Sequence, residues 1–118
     1  MSYQVAEASE IEPLHGVLRR VRRQLGLRSF GLNQADMPPN FEHYPEHDEL
    51  ETGQEEVFVC VTGSGTLSVD GDPVDLQPGR YVLVSPESKR KIVSGAHGLS
   101  VIAIGSHPER GYQPHGDL

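Results

Sequence analysis

Residues 47–65 read HDELETGQEEVFVCVTGSG, and the chain runs straight on into TLSVDGDPVDLQPGRYVLVSP at 66–86. Residues 56–61, EVFVCV, are apolar on both faces and rich in β-branched side chains, the pattern of a strand buried on both sides. The glycines at 63 and 65 read as a turn, and 66–69 as the next strand. Asp70-Gly71 is a strong hairpin signal. It leads to a short strand at 74–76, a Pro78-Gly79 turn and a strand at 81–84. Beyond a turn at 85–90, residues 91–93 and 99–104 read as two strands paired around 95–98. Many short strands about 8–12 residues apart, with turn signals between them, indicate an all-β sandwich or barrel.

Working back from residue 47, 51–54 is a loop around Gly53 and 41–50 is extended but polar. Residues 33–40, NQADMPPN, form a turn-rich connection, and 28–32 is a candidate first strand. Residues 13–25 read as one helix. Leu14, Val17, Leu18, Val21 and Leu25 fall on one face, with Arg19, Arg20, Arg22 and Arg23 mostly away from it. Pro13 suits a first helical turn and Gly26 a stop. The arginine cluster is either an anion patch or a solvated helix face, and the acidic total weighs toward the second.

A chain of 118 residues with net charge −7, thirteen glycines and nine prolines is one turn-rich domain. The acidic balance argues against nucleic acid as a partner. No apolar run is long enough for a membrane span. The N-terminus lacks a basic region followed by an apolar one, and Cys60 has no second cysteine to pair with, so a cytoplasmic protein is expected. The expected division is a loose segment at 1–11, a folded domain at 12–105 (helix about 13–25, barrel about 28–105) and a polar tail at 106–118.

Residues 47–104 resemble a small single-domain cupin of the RmlC-like jelly-roll type. The first cupin motif, G-x5-H-x-H-x3-4-E-x6-G, places its glutamate at Glu56 when counted back from Gly63. Its two histidines would fall near residues 50–52, where none stands, and His47-Asp48-Glu49 is the nearest substitute. The second motif, G-x5-P-x-G-x2-H-x3-N, begins at Pro78-Gly79, and its histidine falls on Arg90 or Lys91 according to the alignment. The resemblance implies an all-β, cupin-type double-stranded β-helix with one short N-terminal α-helix, a small-molecule ligand and a homodimer.

Two readings of the pocket follow. His47 and Glu49 are two apart and share a face on a strand, so with Glu56 they can form a three-ligand site for a divalent transition metal such as Zn, Mn, Fe or Ni, with His43 a further candidate. That reading suits a metal-dependent oxygenase or isomerase. Alternatively the cation at Arg90 or Lys91 pairs with Glu56, and the pocket binds a small polar or anionic metabolite without metal. On that reading the ligand-binding residues are Glu56, Phe58, Tyr81, Arg90 and Lys91. The second is favoured, because the missing histidine falls opposite the best-matched motif; the cation that stands there would repel a divalent ion. Cys60 reads as a buried structural thiol, Tyr44 as a pocket or packing residue, and His97, His107 and His115 as surface histidines. No catalytic residue is assigned, and nothing supports a hydrolase triad, a phosphate loop or a zinc ribbon.

Overall fold

The computed structural model describes residues 2–111. After a 3-10 turn at Ala8–Glu10 come β1 (Leu18–Arg19), α1 (Val21–Leu25), β2 (Gly31–Met37), β3 (Glu55–Val69), β4 (Asp72–Leu76), β5 (Tyr81–Val84) and β6 (Arg90–Ser106). The strands form one antiparallel sheet in the order β1-β2-β6-β3-β4, with β5 beside β4 on the same edge of β3. Phe58 and Leu67 lie nine residues apart on β3 yet belong to one core with Met37, Leu76, Val84, Ile92 and Val101. The sheet therefore curls over on itself, as the all-β jelly-roll expectation requires.

Two long strands carry that curl. The 63–65 glycines do not end a strand. They sit inside β3, where the ladder to β6 shifts register between Cys60 and Thr62 and again between Gly63 and Gly65. Such bulges bend a strand without ending it. Gly63 has φ +77°, and a Cβ there would strike the Gly98 carbonyl. Residues 95–98 likewise make no hairpin: 90–94 and 99–106 pair with β3, not with each other. Asp70 and Gly71, at φ +51° and +86°, form the tight β3–β4 turn that the sequence signals.

The helix expected at 13–25 is only Val21–Leu25. His15 and Gly16 take positive φ, and Leu14 turns back to pair with Leu18 instead of starting a helix. The apolar spacing is real, but it serves a turn: Leu14, Val17 and Leu18 point to one side of a short reversal. The segment before residue 12 is anchored, with Ile11 buried and its carbonyl accepting a 2.7 Å hydrogen bond from Arg19. Arg19 also pairs with Asp36 at 2.6 Å.

β2 occupies most of the stretch expected as a connection. Its pairing with β6 runs from Gly31↔Gly105 to Met37↔Leu99 and is ended by Pro38-Pro39. The 56–61 strand is buried on one side only. Phe58 and Cys60 are in the core, whereas Val61 is 46% exposed, and the same outer face carries Tyr81 (71%) and Leu83 (63%). α1 packs beside β2 and leaves that face uncovered. Among the described residues, no helix is long and apolar enough to cross a membrane.

Candidate metal and ligand site

A cavity of about 650 Å3 lies inside the curled sheet, against β2, β3 and β6. Most of its wall is apolar, with Leu18, Ala35, Phe41, Phe58, Val101 and Ala103 contributing. The polar groups gather where His47, Glu49 and Glu56 meet, and one ligand atom from each lies within 4.8 Å of the others.

Local structure explains each placement. Glu56 is in phase with Phe58 and Cys60, so it points to the inner side of β3. Its β6 partner is Gly105, where no side chain competes for space. His47 belongs to no named strand. It is held by a single bridge to β6, with its amide donating to the Arg90 carbonyl at 3.0 Å and the Arg90 amide donating back at 2.8 Å. The Glu49 amide donates to the Pro86 carbonyl at 2.8 Å, and the Thr52 hydroxyl donates to the Glu49 carboxylate at 2.8 Å.

The imidazole geometry is informative. His47 Nδ1 lies 3.2 Å from the Pro45 carbonyl, which can only accept, so the bond requires a proton on Nδ1. His47 Nε2 then faces Glu49 Oε1 at 3.4 Å. A neutral imidazole would set a lone pair against a carboxylate, and the arrangement is satisfied by a proton or a metal ion between them. Metal-bound histidines characteristically donate their other ring N–H to a carbonyl or carboxylate in this way. One imidazole and two carboxylates make a suitable donor set for a divalent transition metal.

Arg90 is fully buried. Its guanidinium donates to Glu56 Oε1 at 3.1 Å and to the Ser85 carbonyl at 2.5 Å, while its Nε has no partner. Burial pushes the Glu56 carboxyl above its ordinary value, helped by the neighbouring Glu49 charge and opposed by Arg90 and His47. Burial also raises the Tyr44 phenol to about 12, again reinforced by Glu56 and Glu49, so its hydroxyl stays protonated beside the site.

The residues named from sequence separate clearly. His47, Glu49, Glu56 and Phe58 line the cavity, and so does His43, which lies edge-on to Phe41 and outside the group of three. Of the two aligned cations, Arg90 is the interior one, placed behind Glu56 and not on the cavity wall. Lys91 points to the other side of β6 and donates to the Glu42 and Tyr44 carbonyls at 3.0 and 3.4 Å, so it is not a pocket residue. Tyr81 also leaves the ligand-binding set, because β5 turns it to the outer face. Tyr44 does line the cavity. Cys60 is buried and its thiol is pushed up by burial, as a structural cysteine. His97 is exposed, and His115 lies outside the described residues.

Sequence reasoning missed Asn33 and the wall formed by Leu14, His15, Val17 and Leu18. The available signal was Gly16, placed in the middle of what otherwise reads as a helix.

No protein-family model matches the chain, and no curated protein matches it. Solved structures do. A cupin protein from Bacteroides fragilis aligns over 100% of this chain and 99% of its own, with TM-score 0.79 and 18% identity. A sugar phosphate isomerase from a cupin superfamily, from Silicibacter pomeroyi, aligns over 86% of this chain and 65% of its own (TM-score 0.65, 18% identity). A predicted oxalate decarboxylase from Thermotoga maritima aligns over 86% and 97% (TM-score 0.68, 16% identity). The chain has the cupin fold.

Proposed function

We propose that this chain binds a divalent transition metal through His47, Glu49 and Glu56 and uses it to hold a small metabolite with a largely apolar body. The observation that carries the reading is the His47–Glu49 contact, in which a ring nitrogen and a carboxylate oxygen converge at 3.4 Å while Nδ1 is committed to a backbone carbonyl. Arg90 opposes it only in part. Its charge is spent on Glu56 and Ser85, behind the cavity wall, so the cavity itself presents acceptors and no permanent cation. An anion entering without a metal would face the Glu49 and Glu56 carboxylates and be repelled. This moves the balance away from the metal-free reading favoured by the sequence.

A bound metal would supply a Lewis acid for a carbonyl or carboxylate oxygen. The chain's own groups do the rest. The apolar wall excludes water and selects the body of the ligand. The protonated Tyr44 hydroxyl offers a donor to a ligand oxygen. Arg90 and Thr52 hold Glu56 and Glu49 in place. The isomerase and decarboxylase among the similar structures fit an enzyme acting on a small oxygenated metabolite. The lone, buried Cys60 fits a cytoplasmic location.

The test is elemental analysis of untagged protein purified without chelator, followed by dialysis against Mn, Fe, Ni and Zn. About one equivalent per chain is expected, with loss of most of it in His47→Ala and Glu56→Gln. Protein that neither retains nor takes up metal would return the site to metal-free binding of a polar or anionic metabolite, then sought by thermal shift.

We propose further that the chain forms a homodimer through the outer face bearing Val61, Tyr81 and Leu83. Contiguous exposed apolar side chains of this kind mark interaction surfaces, and a two-fold axis would cover both copies with one patch. Light scattering on the wild type and on Leu83→Asp checks this: a dimer that becomes monomeric in the variant is expected.

A further inference from the structure

A second site lies away from the cavity. Where β2 begins and β6 ends, the Gly31↔Gly105 pairing brings the segment before residue 31 alongside the segment after residue 105. The Ser106 hydroxyl ties the two by donating to the Ser29 carbonyl at 3.4 Å. The result is a cleft of about 320 Å3 to which Arg22, Arg28, Arg110 and His107 contribute, with Ser29 and Ser106 among its hydroxyl groups.

The charge here departs from that of the whole molecule. The chain carries ten Lys and Arg against seventeen Asp and Glu, yet three arginines line this one cleft. Elsewhere the interior arginines are neutralised, Arg19 by Asp36 and Arg90 by Glu56. Among the described residues, Arg22, Arg28 and Arg110 form no ion pair with a carboxylate. Two of the side chains are locally set. Arg22 donates to the Leu27 carbonyl at 3.1 Å, across the turn that Gly26 makes at φ +71°. His107 Nδ1 accepts from the Glu109 amide at 3.2 Å, which leaves Nε2 as the protonated nitrogen and a donor. A Cβ at Gly53 would lie 2.9 Å from the His107 ring, so the glycine leaves that ring its room.

We propose that this cleft binds a phosphate-type dianion. Three guanidinium groups present paired N–H forks that match tetrahedral oxyanions, and a dianion answers their charge better than a single carboxylate does. The volume admits a phosphate with a short organic arm. The proposal stands apart from the metal reading and uses none of its residues. It also changes the meaning of the arginine-rich stretch at 19–23, of which Arg22 joins a built cleft.

The experiment is an amide-resolved NMR titration of the full chain with inorganic phosphate and, separately, with methyl phosphate, at constant ionic strength held with chloride. Saturable shifts at Ser29, Gly31, Ser106 and Arg110 are expected, with a dissociation constant of about 1 mM or below. Arg28→Gln/Arg110→Gln should weaken binding by about tenfold or more while the rest of the spectrum superimposes. Arg22→Gln serves the same purpose with a single change. Tighter binding of methyl phosphate than of phosphate identifies an organic phosphate as the ligand, and the reverse identifies the free ion. Absence of saturation by about 10 mM, shifts confined to Tyr44, His47 and Glu49, or equal affinity in the variants would each overturn the proposal.

Discussion

Replacing Arg90 by Met strands a carboxylate, and the size of the penalty can be worked out. Arg90 is fully buried and the Glu56 side chain is 15% exposed, so water does little for the unpaired charge. Glu56 has a way out, which is to take up a proton. At pH 7, protonating a glutamic acid of ordinary value 4.5 costs about 3.4 kcal/mol, and that caps the charge penalty. Losing the hydrogen bond to the Ser85 carbonyl adds about 1 kcal/mol, while removing the unpartnered Nε returns about 1–2 kcal/mol. The net loss is at most about 3 kcal/mol, since Glu56 already lies above its ordinary value in the wild type, and it is a large part of the roughly 5–15 kcal/mol that holds a domain of this size. The pH dependence is the sharper signature. In the variant the folded protein binds the Glu56 proton more tightly than the unfolded chain does, so stability falls as pH rises above 4.5. At pH 5 the cap drops to about 0.7 kcal/mol, and the deficit against wild type should nearly vanish. Urea unfolding followed by far-ultraviolet circular dichroism, at pH 5 and pH 7 with chelator present, measures both values. The double variant Arg90→Met/Glu56→Met should recover most of the loss, since replacing both members of a buried pair is often neutral. A deficit under about 1 kcal/mol at pH 7, or one independent of pH, would refute the reasoning.

Arg90→His should take the permanent cation away from Glu56 and tighten Ni or Zn binding by about tenfold or more by calorimetry; unchanged affinity would mean that the guanidinium has no hold on the metal site. Asp36 tests the N-terminal anchor. Burial works to raise its carboxyl, but hydrogen bonds from Ser100, Arg19 and Gln34 outweigh that and hold it below its ordinary 3.8. Its contribution is therefore complete above 3.8 and is lost as pH falls through the depressed value. The gap between wild type and Asp36→Asn should be constant near neutrality and close below about pH 4 in acid unfolding curves. Gly63→Ala and Gly71→Ala both force alanine into positive φ, at about 1–2 kcal/mol each. Only Gly63 has backbone in the way, so its variant should be the less stable by a further 1 kcal/mol or so in thermal unfolding.

The legible parts of this chain are those where one local rule speaks alone. The alternation of Glu56, Phe58 and Cys60 locates the inner face of β3, and Asp70-Gly71 locates a hairpin. The His47–Glu49 spacing brings those two side chains together, although a single bridge to Arg90 does the work assigned to a strand. Elsewhere two rules compete. Leu14, Val17 and Leu18 satisfy helical spacing, but Gly16 permits a tight reversal that sets the same side chains against the cavity, and burial there decides the outcome. In β2, Ala35 and Met37 alternate with Gln34 and Asp36, a strand signal masked by the Pro38-Pro39 that ends it. The choice between Arg90 and Lys91 rests on phase. Arg90 falls in step with Ile92 and Ser94, both buried, which fixes it inside. Glycines at 95 and 98 suggested a turn, whereas Gly98 lets β6 pass close to Met37, with a Cβ there 2.9 Å from the Met37 carbonyl.

The β3–β6 ladder also governs how the chain reaches this state. It runs from Val69↔Arg90 out to Glu55↔Ser106, so each successive pair closes a longer loop. The β3–β4 hairpin can form from local contacts alone, but the ladder and the site it supports wait for distant segments to meet, which makes for slow folding. Glu56 pairs near the far end of that zipper, opposite Gly105. Until it closes, the valine-rich 57–61 and the apolar 101–104 each keep an open edge, and each is the kind of short, uncharged, β-prone segment that self-associates. A growing chain emerges with the first of these exposed well before its partner has been made. Expression yield should therefore respond to temperature and synthesis rate more than to the stability of the finished fold.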